Sequence, residues 1–433
     1  MFKKTRKIIA IALILTLCAG VMTITALADE PIREEAAITK ILQMPEGTTM
    51  PSPADFQFVL TPAPAQTIDG TDYPGSPANT PPIGPITISF GGAAGIGTKQ
   101  TRDGVDYYFK ELALDLADVA WPNAGYFSYI VTETAGTNTY TPVAPVKSEV
   151  MTYSLAQYRL DVVIWNNPDT DELEVYNVGA WRLVTDPEIP GVGKLDPTPG
   201  GERWVYDETE EHRWITNPGD SGTDMRFSGM AFVNTFVRTI GDPTIPDPDS
   251  AALNISKAVT GIGADQTLAF SFSVTLTRGP LDKETGTIPA QIWDTSVTPN
   301  VMVGSAISIT PGTPTTFTLT HGQRLALGDA PVGTTYVVSE TATPLYKPSY
   351  IIITGGGAGV ANPAPGPDFG GALATGIQYI RELPNSAAFS NERQSIPITG
   401  LTVNNIPFVI LILLAAGGLV IFIVFKAKRR NHN

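Results

Sequence analysis

The sequence has a single cysteine, Cys18, among its 433 residues, and this cysteine lies in an apolar segment near the N-terminus. If that segment is removed on secretion, the mature chain contains no cysteine. A secreted protein without cysteine cannot be cross-linked by disulfides, and it has neither a thiol nucleophile nor an internal Cys–Gln thioester. Its stability must therefore come from a large core or from another kind of covalent cross-link.

Histidine is almost as scarce, because only His212 and His321 precede the C-terminal residues of the chain. A serine protease needs a histidine base, and neither histidine lies in a protease motif. The sequence also shows no His/Cys cluster with the spacing of metal ligands and no glycine-rich phosphate-binding loop. It therefore predicts no metal site, no cofactor and no enzyme that acts on an external substrate.

Basic residues are few, and they concentrate at the two ends of the chain. Of the 28 Lys and Arg residues, four precede residue 29 and four follow residue 399, whereas all 42 Asp and Glu residues lie between these positions. Residues 29–399 therefore carry 20 basic and 42 acidic residues, a net charge of −22. An exterior this acidic argues against nucleic acid and anionic lipid surfaces as partners.

The N-terminus has the order of a secretion signal. Basic residues at positions 3–7 precede an apolar run over residues 8–21, and the small residues Ala26 and Ala28 follow. This order predicts a signal peptide over residues 1–28, which is cleaved after Ala28. The alternative is a lipoprotein signal at Cys18, but the bulky Leu17 before that cysteine argues against it.

The C-terminus has three parts, namely the pentapeptide Ile396-Pro397-Ile398-Thr399-Gly400, an uncharged run over residues 406–425 and a basic tail over residues 426–430. An apolar run of about 20 residues is long enough to span a membrane as a helix, and the basic tail should remain cytoplasmic. This order resembles a Gram-positive cell-wall sorting signal of the Leu-Pro-x-Thr-Gly (LPXTG) type, with Ile396 in the leucine position.

That resemblance implies that residues 396–433 are a sorting signal. A sortase would cleave between Thr399 and Gly400 and transfer the Thr399 carbonyl to an amine. Only the precursor would then contact the membrane, through its C-terminal helix, and the mature protein would be anchored in the cell wall on the outside of the cell. The alternative is a single-pass anchor that is never cleaved.

Between these ends, the sequence predicts an all-β protein with two domains. Short runs of alternating apolar residues, rich in aromatic and β-branched side chains, are typical of strands. They include residues 56–60, 158–165, 270–276 and 350–354. The proline-rich stretch over residues 241–252 lacks this periodicity and predicts a short, fairly stiff linker. We therefore expect a first β-sandwich over residues 29–240 and a second over residues 253–395.

Three short signatures occur in the same order in both predicted domains. Each set consists of a lysine early in the domain, a glutamate at the end of a Tyr-x-Val-x-Glu run, and an asparagine two residues after a phenylalanine; the sets are Lys40, Glu133 and Asn234, and Lys257, Glu340 and Asn391. Period-two alternation places each glutamate on the same face as the tyrosine and valine of its run. A carboxylate on an apolar face is costly unless it is neutral or paired. Each residue alone is ordinary, but chance would have to produce the ordered set twice.

A lysine, a carboxylic acid and an asparagine held together in a core have the groups needed for an amide bond. Burial lowers the pKa of the lysine, so that its neutral amine becomes available as a nucleophile. The same burial raises the pKa of the acid, which then polarises the asparagine carbonyl and assists the departure of ammonia. Contact between the groups adds the advantage of an intramolecular reaction. The sequence therefore predicts an internal Lys–Asn cross-link in each domain, with Glu133 and Glu340 as the assisting acids.

On these motifs the chain resembles the backbone pilins of Gram-positive bacteria and their CnaB-type, or streptococcal-pilin-type, surface modules. The resemblance covers both domains and the sorting signal. It implies Ig-like sandwiches, each closed by an autocatalytic isopeptide bond that joins Lys40 to Asn234 in the first domain and Lys257 to Asn391 in the second. The first domain is longer than the compact members of that family, so we expect extra strands or a lobe in it.

Two functions fit these features. The first is a covalently polymerised pilus (fimbrial) subunit, whose partners are a sortase and either other pilin subunits or peptidoglycan. Polymerisation requires an acceptor lysine, and Lys194, which lies in a loop flanked by Gly and Pro, is the candidate; the Tyr-Pro-Lys motif of pilins is absent. The alternative is a monomeric wall-anchored adhesin whose loops bind a host-surface or matrix ligand.

The two end signals generate a prediction about processing. We expect protein released from the cell wall to begin at Asp29 and to end at Thr399, because the signal peptidase and the sortase each remove one end. Peptide mass mapping of the wall fraction checks both ends. Recovery of peptides from residues 406–425 in wall-linked protein would contradict the sorting signal and favour the uncleaved anchor.

Overall fold

The structure is a computed structural model, and it describes residues 33–143, 146–186, 189, 191–207, 213–216, 225–242, 247–363, 366–382, 384–394 and 399–430. The signal peptide predicted over residues 1–28 lies outside the described residues. So do the first three residues of the sorting motif, Ile396–Ile398.

The described part of the chain up to residue 242 is built from strands. They are β1 (Ala36–Pro45), β2 (Asp55–Pro62), β3 (Gln66–Ile68), β4 (Thr71–Tyr73), β5 (Ile83–Ser89), β6 (Thr98–Arg102), β7 (Val105–Leu114), β8 (Gly125–Glu133), β9 (Val146–Thr152), β10 (Gln157–Asn166), β11 (Leu173–Val184), β12 (Gly193–Leu195), β13 (Glu202–Asp207), β14 (Arg213–Thr216), β15 (Arg226–Phe227) and β16 (Ala231–Ile240).

The described part from residue 247 onward contains further strands and ends in a helix. These elements are β17 (Leu253–Thr260), β18 (Phe270–Thr277), β19 (Ile288–Asp294), β20 (Val301–Ile309), β21 (Thr315–Leu319), β22 (Gln323–Leu327), β23 (Ala330–Pro331), β24 (Thr335–Glu340), β25 (Tyr346–Ile353), β26 (Val360–Ala361), β27 (Leu373–Ala374), β28 (Gln378–Tyr379), β29 (Ser386–Arg393) and α1 (Thr399–Arg430).

The first sandwich consists of two sheets packed face to face. Sheet 1 has the strand order β6-β7-β1-β16, with β9 also paired to β16, and sheet 2 has the order β12-β11-β10-β8-β2-β5. Strand β2 buries alternate residues, so that Phe56 and Phe58 point into the core while their neighbours face outward. They pack with Phe232 and Phe236 of sheet 1 in one apolar cluster, and the ring centroids of Phe58 and Phe232 are 4.9 Å apart.

A lobe covers the outer face of sheet 1. Strand β1 is buried at all ten positions, because its inner face joins the core between the sheets and its outer face lies under the small sheet β14-β13-β15. Ile41 of β1 belongs to an aromatic cluster with Phe109, Trp204 and Trp214. This lobe matches the addition expected from the length of the first domain.

The second sandwich repeats the arrangement without the lobe. Sheet 3 has the order β20-β19-β22-β17-β29-β25-β26, and sheet 4 has the order β21-β18-β24-β27, with β28 also paired to β24. Phe270 and Phe272 of β18 enter the core by the same alternation as on β2, and they pack with Tyr336 and Phe389. Here the first strand, β17, buries one face only.

In each sandwich the first strand and the last strand are parallel neighbours. Strand β1 pairs with β16 so that Lys40 lies opposite Phe232 and Leu42 lies opposite Asn234. Strand β17 pairs with β29 so that Lys257 lies opposite Phe389 and Val259 lies opposite Asn391. In both pairs the asparagine is therefore two residues beyond the partner of the lysine, and the two side chains are on the same face of the sheet.

Strand β16 connects the two sandwiches directly. Its last residues, Thr239 and Ile240, pair with Pro331 and Ala330 of β23, and the Ile240 side chain belongs to the apolar core of the second sandwich. Gly241 follows with a φ of 93°, and a Cβ at this position would lie 1.9 Å from the carbonyl oxygen of Gly328. Only glycine fits this conformation and this approach without a shift of the backbone.

Helix α1 is the membrane candidate. Within the described part of the chain, residues 407–428 form a helical segment that is long and apolar enough to cross a membrane, with a mean hydropathy of 3.2. This segment agrees with the apolar run that the sequence placed after the sorting motif. The prediction of an all-β protein with a C-terminal apolar helix is confirmed. Three of the strand runs named from the sequence lie in β2, β10 and β18, and the fourth lies in β25 except for its last residue, Thr354.

Candidate cross-link sites

The first site joins three strands of the first sandwich. Lys40 lies on β1 and Asn234 on β16, both in sheet 1, while Glu133 is the last residue of β8 in the opposing sheet 2. Glu133 pairs with Phe58 of β2 across sheet 2, which aims the carboxyl group into the core between the sheets. The structure therefore brings together the three residues that the sequence selected in this domain.

The carboxylate of Glu133 bridges the other two side chains. Lys40 Nζ donates a hydrogen bond of 2.8 Å to Glu133 Oε2, and Asn234 Nδ2 donates one of 2.6 Å to Glu133 Oε1. Lys40 Nζ also donates to the Phe232 carbonyl oxygen at 3.1 Å. The side chains of Lys40 and Glu133 are both 0% exposed, so water does not compete for these contacts.

The second site has the same composition and the same register. Lys257 lies on β17, Asn391 on β29 and Glu340 at the end of β24, opposite Phe272 of β18. Lys257 Nζ donates to Glu340 Oε1 at 2.7 Å, and Asn391 Nδ2 donates to the same oxygen at 2.6 Å. Both sites are buried, and their counterpart residues occupy equivalent strand positions.

Phenylalanines enclose both lysines. Lys40 Nζ lies 4.7 Å from the ring centroid of Phe56, and Lys257 Nζ lies 4.2 Å from that of Phe270. A ring face attracts an ammonium group, yet it supplies no hydrogen bonds in place of water. The aromatic wall therefore tolerates the charged lysine but leaves the adjacent glutamate as its main polar partner.

Burial shifts the ionisation of these groups toward their neutral forms. Desolvation lowers the pKa of Lys40 to about 8, against the opposing influence of Glu133 and of Asp186. Desolvation likewise lowers the pKa of Lys257 to about 8, against Glu340. It raises the pKa of Glu340, although Lys257 and Asn391 counteract this effect. Both directions favour a neutral amine beside a neutral acid.

This arrangement has the groups required for acyl transfer to an amine. The lysine amine is the nucleophile, the asparagine carbonyl carbon is the electrophile, and the glutamate contacts both nitrogen atoms between which a proton must move. The sandwich holds all three in contact, so little reorganisation precedes the reaction. No residue outside each triad is needed to supply the acid.

Sequence reasoning missed two buried residues beside the first site. The backbone N–H of Ser154 donates to Asn234 Oδ1 at 2.8 Å, and the Ser154 hydroxyl donates to the buried Asp186 carboxylate. Both residues lie in connections between strands. Among the described residues neither has a counterpart at the second site, where Asn391 Oδ1 accepts no hydrogen bond, so the internal repeat carried no signal for them.

The residues expected to meet the sortase lie apart from the triads. Lys194 is exposed, but it lies on β12 and not in the loop expected from its Gly and Pro neighbours, because this short strand pairs with the edge of sheet 2 and sets Lys194 opposite Trp181. Thr399 and Gly400 are the first residues of α1. Within the described residues, no group of three or more His, Cys, Asp or Glu side chains is arranged to hold a metal ion.

Comparison with known proteins finds a family model and several solved structures that are similar to this chain. A family described as a domain of unknown function, DUF7601, matches residues 251–362, and no curated protein matches the chain. The structure of the major pilin of Streptococcus pyogenes is 18% identical, with 83% of this chain and 98% of that chain covered and a TM-score of 0.30. The T3.2 major pilin of the same species is 19% identical, with 84% and 100% covered and a TM-score of 0.30.

A pilus-presented adhesin is also similar, at 16% identity, with 42% of this chain and 34% of that chain covered and a TM-score of 0.23. These proteins are of the class that the sequence motifs resemble.

The lowered pKa of Lys40 predicts that the stability of a variant that cannot form the Lys40–Asn234 bond depends on pH. In Asn234→Ala the amine stays free, with a pKa of about 8 when folded against the ordinary 10.5 when unfolded. Between these values the unfolded state binds more protons, so the free energy of unfolding should rise with pH, by at most about 1.4 kcal/mol per pH unit. The stabilisation is complete above 10.5 and is lost as the pH falls through 8.

Urea unfolding of residues 29–399 between pH 8 and pH 9.5 measures this rise. Tryptophan fluorescence reports mainly on the first sandwich, because five of the six tryptophans precede residue 241. The control is Lys40→Met/Glu133→Gln/Asn234→Ala, which lacks the titrating groups. Equal pH dependence in the two proteins would show that Lys40 is not desolvated in the folded state.

Proposed function

We propose that this chain is a cell-wall-anchored structural protein of the bacterial surface, and specifically a pilus subunit, stabilised by autocatalytic Lys40–Asn234 and Lys257–Asn391 isopeptide bonds. The observation that carries the proposal is the duplication of a buried Lys–Glu–Asn triad. Both lysines are within hydrogen-bond distance of a buried glutamate. The same glutamate accepts a hydrogen bond from the asparagine amide. The proposed domains are residues 29–240 and 253–395, joined by residues 241–252.

The reaction at the first site begins with a proton transfer from Lys40 Nζ to Glu133. The neutral amine then attacks Cγ of Asn234, and the Cγ–Nδ2 bond breaks as Nδ2 takes up a proton through Glu133. One amide bond forms and one ammonia leaves. Starting from the ammonium–carboxylate pair, the balance leaves Glu133 as a neutral acid beside an uncharged amide, so the core no longer contains an ion pair. The second site follows the same sequence with Lys257, Glu340 and Asn391.

The position of the bonds fits a load-bearing role. A force that enters the first sandwich at β1 passes from Lys40 through the amide to Asn234 and leaves along β16. Residues 41–233 are then bypassed, and the hydrogen bonds that join strands within that segment carry no load. A cross-link that closes a loop of more than 100 residues also restricts the unfolded chain, a contribution of about 4.7 kcal/mol or more on the chain-entropy account.

The acidic exterior, the two end signals and the exposed lysine support the cellular part of the proposal. Residues 29–399 carry a net charge of −22, which suits a soluble surface protein rather than a nucleic-acid or lipid-surface ligand. The proposed partners are a sortase and a second subunit or peptidoglycan, and the proposed acceptor in a growing fibre is Lys194. The protein then acts on no substrate other than its own side chains.

Intact mass tests the two bonds. Purified protein spanning residues 29–399 should be lighter than its sequence mass by two ammonia molecules. Glu133→Ala should restore the mass of one ammonia, and Glu340→Ala should restore that of the other, because each acid serves only its own triad. Peptide mapping assigns each loss to its domain.

The matched control is Glu149→Ala, which removes a partly exposed glutamate of β9 outside both triads and should leave both bonds intact. Wild-type protein at its full sequence mass would refute the cross-links whatever the variants show.

A separate experiment tests polymerisation. In the native host, a wall fraction boiled in detergent should give a ladder of high-mass species, because the subunits are joined by amide bonds. Lys194→Arg should collapse the ladder to monomer, whereas Lys283→Arg, at another exposed lysine, should leave it unchanged. Wall-linked monomer in the wild type would favour the adhesin function instead.

A further inference from the structure

The two triads differ in what contacts the asparagine oxygen. Asn234 Oδ1 accepts the backbone N–H of Ser154 at 2.8 Å. In the second sandwich, Asn391 Oδ1 has no hydrogen-bond partner among the described residues, and neither has Glu340 Oε2. The first site therefore contains a donor on the atom where negative charge develops when an amine attacks the amide, and the second site lacks an equivalent.

A buried network holds this donor in place. Ser154 Oγ donates to Asp186 Oδ2, and the backbone N–H of Val233, the residue before Asn234, donates to the same carboxylate oxygen at 3.2 Å. Ser154 Oγ also accepts the N–H of Ala156 at 3.2 Å. Ser154 is 7% exposed and Asp186 is 4% exposed. One carboxylate thus connects the loop that carries the donor to the strand that carries the electrophile.

The donor also fixes the orientation of the amide. If the Asn234 side chain were rotated to exchange its oxygen and nitrogen, its NH₂ group would face the N–H of Ser154, and the hydrogen bond from Ser154 would be lost. The observed orientation directs Nδ2, the leaving group, at Glu133 and directs Oδ1 at Ser154. At the second site, Glu340 must both protonate the leaving nitrogen and stabilise the negative charge that develops on Asn391 Oδ1.

We infer that the Ser154 backbone N–H is an oxyanion donor for the first cross-link, that Asp186 is its positioning residue, and that the Lys40–Asn234 bond consequently forms faster than the Lys257–Asn391 bond. This inference rests on the proposed autocatalytic reaction. Donors aimed at a developing oxyanion lower the barrier because they need no reorganisation when charge appears. The bonds formed and broken are those of the proposed reaction, and Ser154 and Asp186 are chemically unchanged by it.

Asp186 provides a discriminating test, because its two effects have opposite signs. Its charge favours the ammonium form of Lys40, so removal of that charge alone would make the amine more available and the reaction faster. Removal of a positioning residue would make the reaction slower. We expect Asp186→Ala to slow bond formation in the first sandwich, and an acceleration would show that Asp186 acts only through its charge.

The experiment follows both bonds in the same full-length molecules. The protein is made by cell-free translation, synthesis is stopped, and samples are denatured in acid at intervals and digested. The ammonia loss of each domain is then measured by mass. In the wild type the first domain should lose ammonia earlier than the second. The second domain is the internal reference for folding and for sample handling.

Substitutions at Ser154 separate the donor from its support. Ser154→Pro removes the N–H and should slow the first bond by about 100- to 1000-fold, the usual effect of losing one oxyanion donor. Ser154→Ala keeps the N–H but loses the link to Asp186 and should slow it by about tenfold or more, since small misplacements at a reacting centre are costly. Ser154→Thr keeps the hydroxyl and should restore the rate.

The outcomes distinguish this inference from the proposed function. If both domains lose ammonia but Ser154→Ala, Ser154→Pro and the wild type react equally fast, the oxyanion donor is refuted and the cross-links stand. A first bond no faster than the second in the wild type also refutes it. If neither domain loses ammonia, the proposed reaction itself fails. Should Ser154→Pro not fold, the pair Ser154→Ala and Ser154→Thr decides the question.

Discussion

The parallel pairing of the first and last strands is the constraint on which the rest of each sandwich depends. An antiparallel pair can be joined by a short turn, whereas parallel neighbours require a long connection between them, and here that connection is the whole domain. In this pairing Asn234 lies two residues beyond the strand partner of Lys40, and Asn391 lies two residues beyond the strand partner of Lys257. A shift by one residue would turn one of the two side chains to the other face, and Glu133 or Glu340 would then have no pair to bridge.

The same arrangement explains why charged groups are retained in an apolar core. A buried ammonium and carboxylate lose hydration that their attraction does not fully replace, and removal of one partner alone is strongly destabilising. The phenylalanines that line each site enforce this desolvation, because they exclude water and form the core at the same time. Conversion of the lysine to an amide would remove its charge permanently. The chemistry would therefore relieve a cost that the fold itself imposes.

Much of the fold and of the two candidate sites could be predicted from the sequence, because the relevant signals are local or repeated. The alternation Phe56-x-Phe58 and Phe270-x-Phe272 specifies strands and their inward faces, and the duplicated lysine, glutamate and asparagine motifs selected the residues that meet in the core. Ser154 and Asp186 could not be found in this way. They lie in connections, occur once, and meet the first site only because β9, β11 and β16 converge there, which depends on pairings between distant segments.

The junction between the sandwiches connects the two candidate cross-link sites through strand β16. Strand β16 carries Asn234 and continues through Arg238, which forms ion pairs with Glu149 of the first sandwich and Glu382 of the second. It ends at Ile240, which is packed in the second core. A force transmitted through a Lys40–Asn234 bond would therefore reach the second sandwich along a strand anchored at both ends. Since β17 then leads within a few residues to Lys257, the segment between the two proposed cross-links, residues 235–256, would be the part of the path where extension begins.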